Sequence, residues 1–130
     1  MKSRTIYGLK SSKKDEKTIV KRINDYLEIH DRTMSKSKNK GMLDARLPHV
    51  LKHFYWNLNK SKGTYFEIFS NEDSMGNYYN EKNKDLGWII KARIDLTHPM
   101  YEKEATELFL KEILDVTGFE YFILEEKEND

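Results

Sequence analysis

Two histidines four residues apart are the most enzyme-like feature of the sequence. His49 and His53 stand in the segment HVLKH, and on a helix this spacing places both imidazoles on one face, where they can chelate a divalent metal. The metalloprotease pattern has Glu directly after the first His, and Val50 occupies that position. A site would also need a third and usually a fourth ligand from elsewhere in the fold. The pair alone does not define a metal centre, so no metal and no cofactor are expected.

A group of carboxylates with a lysine offers a second route to metal chemistry. Asp95 ends one predicted strand, and Glu125, Glu126 and Lys127 follow another. In metal-dependent nucleases, carboxylates hold Mg²⁺ while a lysine orients the attacking water. The same combination arises readily by chance in a chain of which 35% of residues are charged. We therefore expect a protein that is not an enzyme, and a metal-dependent hydrolase or nuclease is the second alternative.

The net charge of +1 conceals two halves of opposite charge. Residues 1–62 contain 16 Lys and Arg against 6 Asp and Glu, and residues 63–130 contain 7 against 16. Several early lysines fall in the first turns of a predicted helix, where each opposes the helix dipole by about 0.3–1 kcal/mol. A functional partner with negative charge, nucleic acid or a nucleoprotein surface, explains this placement, although a solvated face with a Lys21–Asp25 pair explains it almost as well. The residues expected to contact phosphates are Lys14, Lys17, Lys21, Arg32, Lys36, Lys38 and Lys40.

Aromatic residues crowd the middle of the chain, and lysines stand between them. Trp56 and Tyr65 flank Lys60 and Lys62. Aromatic rings can stack on bases while lysines neutralise phosphates. Most aromatic side chains are nevertheless buried in a core. Only Trp56 and Tyr65, with Trp88 as a further candidate, are therefore considered for stacking.

The acidic half suggests a different partner. Glu102, Glu104 and Glu107 fall at the start of a predicted helix, where the dipole favours negative charge and gives them a structural explanation. The alternative function is a protein-interaction inhibitor of mobile-element type. It would dock its acidic half on a basic partner, for example a nucleic-acid-binding enzyme. Association between copies of the chain is a variant of this hypothesis.

The elements that must position these residues follow from apolar periodicity and turn residues. Ser12 with Asp15 predicts the start of a helix, and Gly118 predicts the end of another. The predicted segments of the first half are a short strand at 4–9, a helix at 13–30, a mobile basic loop at about 31–41 and a helix at 47–59. Strands at 64–70 and 88–95 follow, paired antiparallel, and residues 97–99 open a third helix. Its predicted buried face consists of Ala105, Leu108, Phe109, Ile113 and Val116. A strand at 119–124 and a frayed acidic tail at about 125–130 end the chain.

These segments predict an α+β domain over residues 1–130. Two N-terminal helices precede a small, mainly antiparallel sheet, in the order strand, strand, helix, strand, and helices cover one face of that sheet. With 130 residues and 38% hydrophobic content, the chain can bury a core without metal or disulfide.

Composition narrows the class of protein further. The absence of cysteine excludes a disulfide scaffold, thiol catalysis and cysteine-ligated metals. No apolar run is long enough to span a membrane and the start lacks the hydrophobic stretch of a signal peptide, so a soluble, cytoplasmic protein without a membrane partner is expected. The charge pattern favours a small non-enzymatic binding or inhibitor module whose basic half engages nucleic acid or a nucleoprotein.

Overall fold

The computed structural model of the protein describes residues 2–29, 35–38, 54–61, 64–72, 76–97, 99 and 101–129. A strand comes first, and the two α-helices of the described residues are separated by four strands. The elements are β1 (Lys2–Leu9), a 3-10 helix (Lys13–Asp15), α1 (Glu16–Glu28), β2 (Ser35–Lys38), β3 (Phe54–Ser61), β4 (Thr64–Ser70), β5 (Trp88–Asp95), α2 (Lys103–Val116) and β6 (Tyr121–Asn129).

The described strands form one sheet in the order β2-β3-β4-β5-β1-β6. Every neighbouring pair is antiparallel. The first strand lies between β5 and β6, so it joins two strands of the C-terminal half. The two halves of the sequence are therefore interleaved in the sheet and do not form two separate bodies.

The predicted fold is wrong in the placement of its helices. The chain is α+β in broad terms. The short strand predicted at 4–9 is part of β1, which is an inner strand of the sheet, so the sheet does not follow two N-terminal helices. The helix predicted at 47–59 overlaps β3. Phe54, Tyr55 and Leu58 fit a helical stripe, yet aromatic residues also favour strands. Two residues separate β3 from β4, and their ends pair through Ser61 and Thr64, which is the spacing of a β-hairpin. Pairing with β4 therefore makes residues 54–61 a strand. The rest of the predicted helix, residues 47–53, lies outside the described part.

Several local predictions are confirmed. Ser12 accepts a hydrogen bond from the Lys14 amide, and the Ser12 amide donates to the Asp15 carboxylate at 2.7 Å, forming a capping box ahead of α1. β4 and β5 have the predicted bounds and pair antiparallel. Gly118 follows α2 with φ of +76°, the left-handed conformation that favours glycine after a helix.

The main core lies between the sheet and both α-helices. Ile19, Ile23 and Leu27 of α1 pack with Ile113 of α2 over Ile90 of β5. The buried face of α2 differs from the predicted stripe, because Thr106, Leu110 and Leu114 are buried beside Ile113, whereas Leu108 is 56% exposed. This face follows from where α2 crosses α1, which apolar spacing alone does not determine.

The opposite face of the sheet carries a smaller apolar cluster. Ile6, Phe69 and Ile89 are buried there, with Tyr79 and Leu124 packed against them. Asn71 organises the connection between β4 and β5, since its side-chain amide donates to the carbonyls of Asn80 and Asn83 and accepts from the Asn80 amide. This connection holds Tyr79 over Phe69, with ring centroids 5.4 Å apart.

Two segments predicted to lack regular structure contribute strands. Ser35–Lys38, within the basic segment at about 31–41, forms β2, and residues 125–129 of the acidic tail belong to β6. Mobility of the basic segment stays a prediction. None of the helices that the structure describes is long and apolar enough to cross a membrane.

Candidate functional site

The predicted basic residues are divided between α1 and other parts of the chain. Lys14, Lys17 and Lys21 are exposed on the 3-10 helix and α1. Lys36 and Lys38 belong to β2. Arg32 and Lys40 lie outside the described residues. The structure therefore brings together three of the seven predicted phosphate contacts along one helical segment.

The core face of α1 determines where these lysines point. Ile19, Ile23 and Leu27 are buried, so Lys17 and Lys21, four residues apart, lie together on the outer face. Lys21 donates to Asp25 at 2.6 Å, as the solvated-face interpretation expects. In the part of the chain that the structure describes, no ion pair engages Lys14 or Lys17. Of the three predicted residues whose side chains are described, Lys14 and Lys17 are therefore the ones not engaged by an ion pair.

The candidates for base stacking are placed by strand register. Trp56 of β3 pairs with Ile68, and Tyr65 of β4 pairs with Arg93; the side chains of Trp56 and Tyr65 lie outside the described structure. Trp88 is only 4% exposed, and its indole donates to the Ser12 carbonyl at 3.1 Å. It is therefore a core residue that anchors the start of α1, and the interpretation of Trp88 as a stacking platform is wrong.

The predicted acidic residues lie at the beginning of α2. Glu102 is the N-cap residue, without a side-chain capping bond, and Glu104 stands in the first turn. Both are exposed, as is Glu107 one turn later. Their carboxylates stand near the positive end of the helix dipole. They form an exposed acidic group, which is compatible with a basic partner and equally with a structural role.

The predicted metal chemistry gains no geometric support within the described residues. Asp95 pairs with Lys2 of β1, whereas Glu125 pairs with Ile6. The two backbone positions are therefore about 13 Å apart along the strand direction, and they also lie on strands separated by β1. No group of three or more His, Asp or Glu side chains in the described ranges is arranged to hold a metal. His49 and His53 lie outside those ranges.

A charged cluster on the sheet face opposite the helices is absent from the sequence-based predictions. We call it the central charged row, and it consists of Arg4, Glu67, Lys91, Arg93 and Glu125. Glu67 of β4 stands directly opposite Lys91 of β5, and the two residues are 2% and 0% exposed. Neighbouring Arg4 and Arg93 are paired across β1 and β5.

Hydrogen bonding within the central charged row is incomplete. Arg4 Nη2 contacts Glu125 Oε1 at 2.6 Å. Arg4 Nε and Glu67 Oε2 are buried without a hydrogen-bond partner. Asp95 and Lys127 stand at the neighbouring positions of the same sheet face, since Asp95 pairs with Lys2 and Lys127 pairs with Arg4. In the strand WIIKARID, charged residues alternate with apolar ones, but this alternation does not show that Lys91 is buried.

Two side chains of α1 join it to α2 and to the residues directly after α2, behind the exposed lysines. Arg22 donates to the Thr117 carbonyl at 2.5 Å and lies over the Phe119 ring. Tyr26 donates its hydroxyl proton to Glu112. Burial, together with this carboxylate, raises the pKa of Tyr26 to about 12. These contacts fix α1 against α2 and thereby hold Lys17 and Lys21 outward.

No protein-family model and no curated protein matches the sequence. A functional inference therefore rests on the residues of this chain and their arrangement.

Proposed function

We propose that the protein is a small, non-enzymatic binding module of the cytoplasm that engages nucleic acid or a nucleoprotein surface through the lysines of its first helical segment. The observation that carries the proposal is the exposure of Lys14 and Lys17, which no described carboxylate neutralises. Lys21 extends the same surface, and the basic residues at 32–40 follow it in sequence.

The spacing of these lysines suits a backbone of phosphates. Lys17 and Lys21 are separated by four residues of α1, or about 6 Å along the axis. Contacts from lysines to phosphates position a protein on nucleic acid without reading its sequence. We therefore expect binding that is strongly dependent on salt and tolerant of sequence.

A salt titration with a matched variant tests this function. For the unmodified chain, we expect affinity for mixed-sequence DNA or RNA, measured by fluorescence anisotropy, to fall steeply from 50 to 200 mM salt. Replacing two contacts, as K14Q/K17Q, should lower the slope of log K against log salt by about 1.4–1.8, since each phosphate contact contributes about 0.7–0.9.

The control removes the same charge elsewhere. Lys103 and Lys111 are exposed on α2, so K103Q/K111Q should leave the slope unchanged. Absence of binding at 50 mM salt would rule out free nucleic acid as the partner. If K14Q/K17Q and K103Q/K111Q lowered the salt slope equally, net charge alone, and not the α1 surface, would determine binding.

The alternative is an inhibitor that docks its acidic surface on a basic protein partner. The exposed carboxylates of Glu102, Glu104 and Glu107 favour it. Here E104Q/E107Q should weaken capture of the partner, whereas K14Q/K17Q should leave it unchanged. Association of copies with one another is a further partner proposal, and its geometry depends on the two edges of the sheet.

A further inference from the structure

The two edges of the sheet carry opposite charges. β2 and β6 are the terminal strands among those described. β2 has the sequence SKSK, with two lysines and no acidic residue. β6 has the sequence YFILEEKEN, with three glutamates and one lysine. Within the described sheet, each of these two strands has a hydrogen-bonded neighbour on one side only, and an edge of this kind is a template for another strand.

Strand direction allows the two edges of different copies to meet. Each of the five steps from β2 to β6 is antiparallel, so β6 runs opposite to β2. A second copy placed beside β6 in the same orientation therefore brings its own β2 antiparallel to β6. The sheet continues without a break, and the helices of both copies lie on the same side.

The register of charges matches this arrangement. Glu126 pairs with Thr5, which pairs with Ala92, a residue of the helix-covered core. Lys36 pairs with Trp56, which pairs with Ile68 of the same core. Alternate positions of a strand lie on the same face, so Glu126 and Glu128 share a face with the positions of Lys36 and Lys38. Pairing Lys36 with Glu128 sets Lys38 opposite Glu126.

We propose that β6 of one copy pairs with β2 of the next, which produces a head-to-tail assembly of a continuous sheet. The interface is heterologous, because each copy contributes a different edge, and translation of this kind forms open chains. The alternative is antiparallel pairing of β6 with β6 of a second copy. If that pairing is centred on Glu125, the Glu125 residues of the two copies stand directly opposite each other, and like charges in this position are destabilising. Pairing of the acidic β6 of one copy with the basic β2 of another is therefore favoured.

Sedimentation velocity across protein concentration and salt tests the assembly. We expect species larger than dimers at about 50 mM salt and dissociation toward monomers at 1 M, where screening extends to about 3 Å. E126K/E128K should weaken association by at least about tenfold, and K36E/K38E should do the same. The variant with all four reversals should associate again, because the pairs are restored in the opposite sense.

Controls separate assembly from folding. Circular dichroism verifies that each variant is folded, and E126Q/E128Q provides a milder change if a reversal prevents folding. Glu81 and Asp85 are exposed and away from both edges, so E81K/D85K should associate like the unmodified chain. A strict monomer at every concentration, a dimer that E126K/E128K strengthens, or a folded four-residue reversal that fails to associate would each overturn the proposal.

Discussion

Tyr26 links the two α-helices through a hydrogen bond that titration can remove. Burial and the neighbouring Glu112 carboxylate raise the pKa of Tyr26 from 10.0 to about 12. The folded chain therefore keeps a proton that the unfolded chain loses between these values. The stability that Tyr26 contributes is fully present below pH 10 and falls as the pH rises toward 12.

We expect Y26F to change both the level and the slope of stability with pH. Loss of the hydrogen bond should lower the free energy of unfolding at pH 7 by about 1 kcal/mol. Between pH 10 and 12 the variant should lose less stability than the unmodified chain, because Tyr26 no longer titrates. The pKa values of Tyr7 and Tyr121 are also raised by burial, so a residual slope remains. Urea unfolding at several pH values measures the difference, and identical slopes would contradict this assignment.

Strands β4 and β5 place opposite charges in the interior of the sheet. Glu67 and Lys91 face one another, almost completely buried. Glu67 Oε2 has no hydrogen-bond partner, so Lys91 compensates Glu67 through its charge and not through a direct bond to that oxygen. Breaking a hydrogen-bonded buried pair typically costs about 3–5 kcal/mol. We therefore expect K91M to lower the free energy of unfolding by less than that amount.

A double variant of Glu67 and Lys91 shows whether the two charges stabilise each other or act independently. Replacing both members with apolar residues is often neutral or stabilising, so E67L/K91M should be markedly more stable than K91M. Denaturant unfolding of the two single variants and the double variant gives the coupling energy directly. If the losses in unfolding free energy of the two single variants added up to the loss of the double variant, the two charges would not stabilise each other across β4 and β5.

Elements with a local signal could be predicted, and elements that depend on distant partners could not. The capping box at Ser12 and the alternating residues of β5 are encoded within a few neighbouring positions. β3 depends on pairing with β4, which its own apolar spacing does not reveal. For the candidate site, exposure of Lys17 follows from the periodicity of α1, whereas burial of Lys91 depends on what packs over that face.

At the scale of the whole molecule, the charge division in the sequence becomes a division between sheet edges. β1 belongs to the basic half of the sequence but lies between β5 and β6. Its Arg4 contacts Glu125, so part of the positive charge is neutralised inside the fold. The remaining contrast is between β2 at one edge and β6 at the other. Contacts between distant residues create this arrangement, and composition alone does not predict it.

The C-terminal residues are an integral part of this sheet. Residues 125–129 continue the pairing of β6 with β1, and Arg4 would lose its carboxylate partner without them. We expect truncation after Leu124 to lower the free energy of unfolding by more than about 2 kcal/mol, because several backbone hydrogen bonds and a partly buried ion pair disappear. Removal of Asp130 alone is the matched control and should change little. Urea unfolding at low protein concentration measures these free energies. If the truncated and full chains were equally stable, residues 125–129 would contribute nothing to the folded sheet, which is what the prediction of a frayed tail requires.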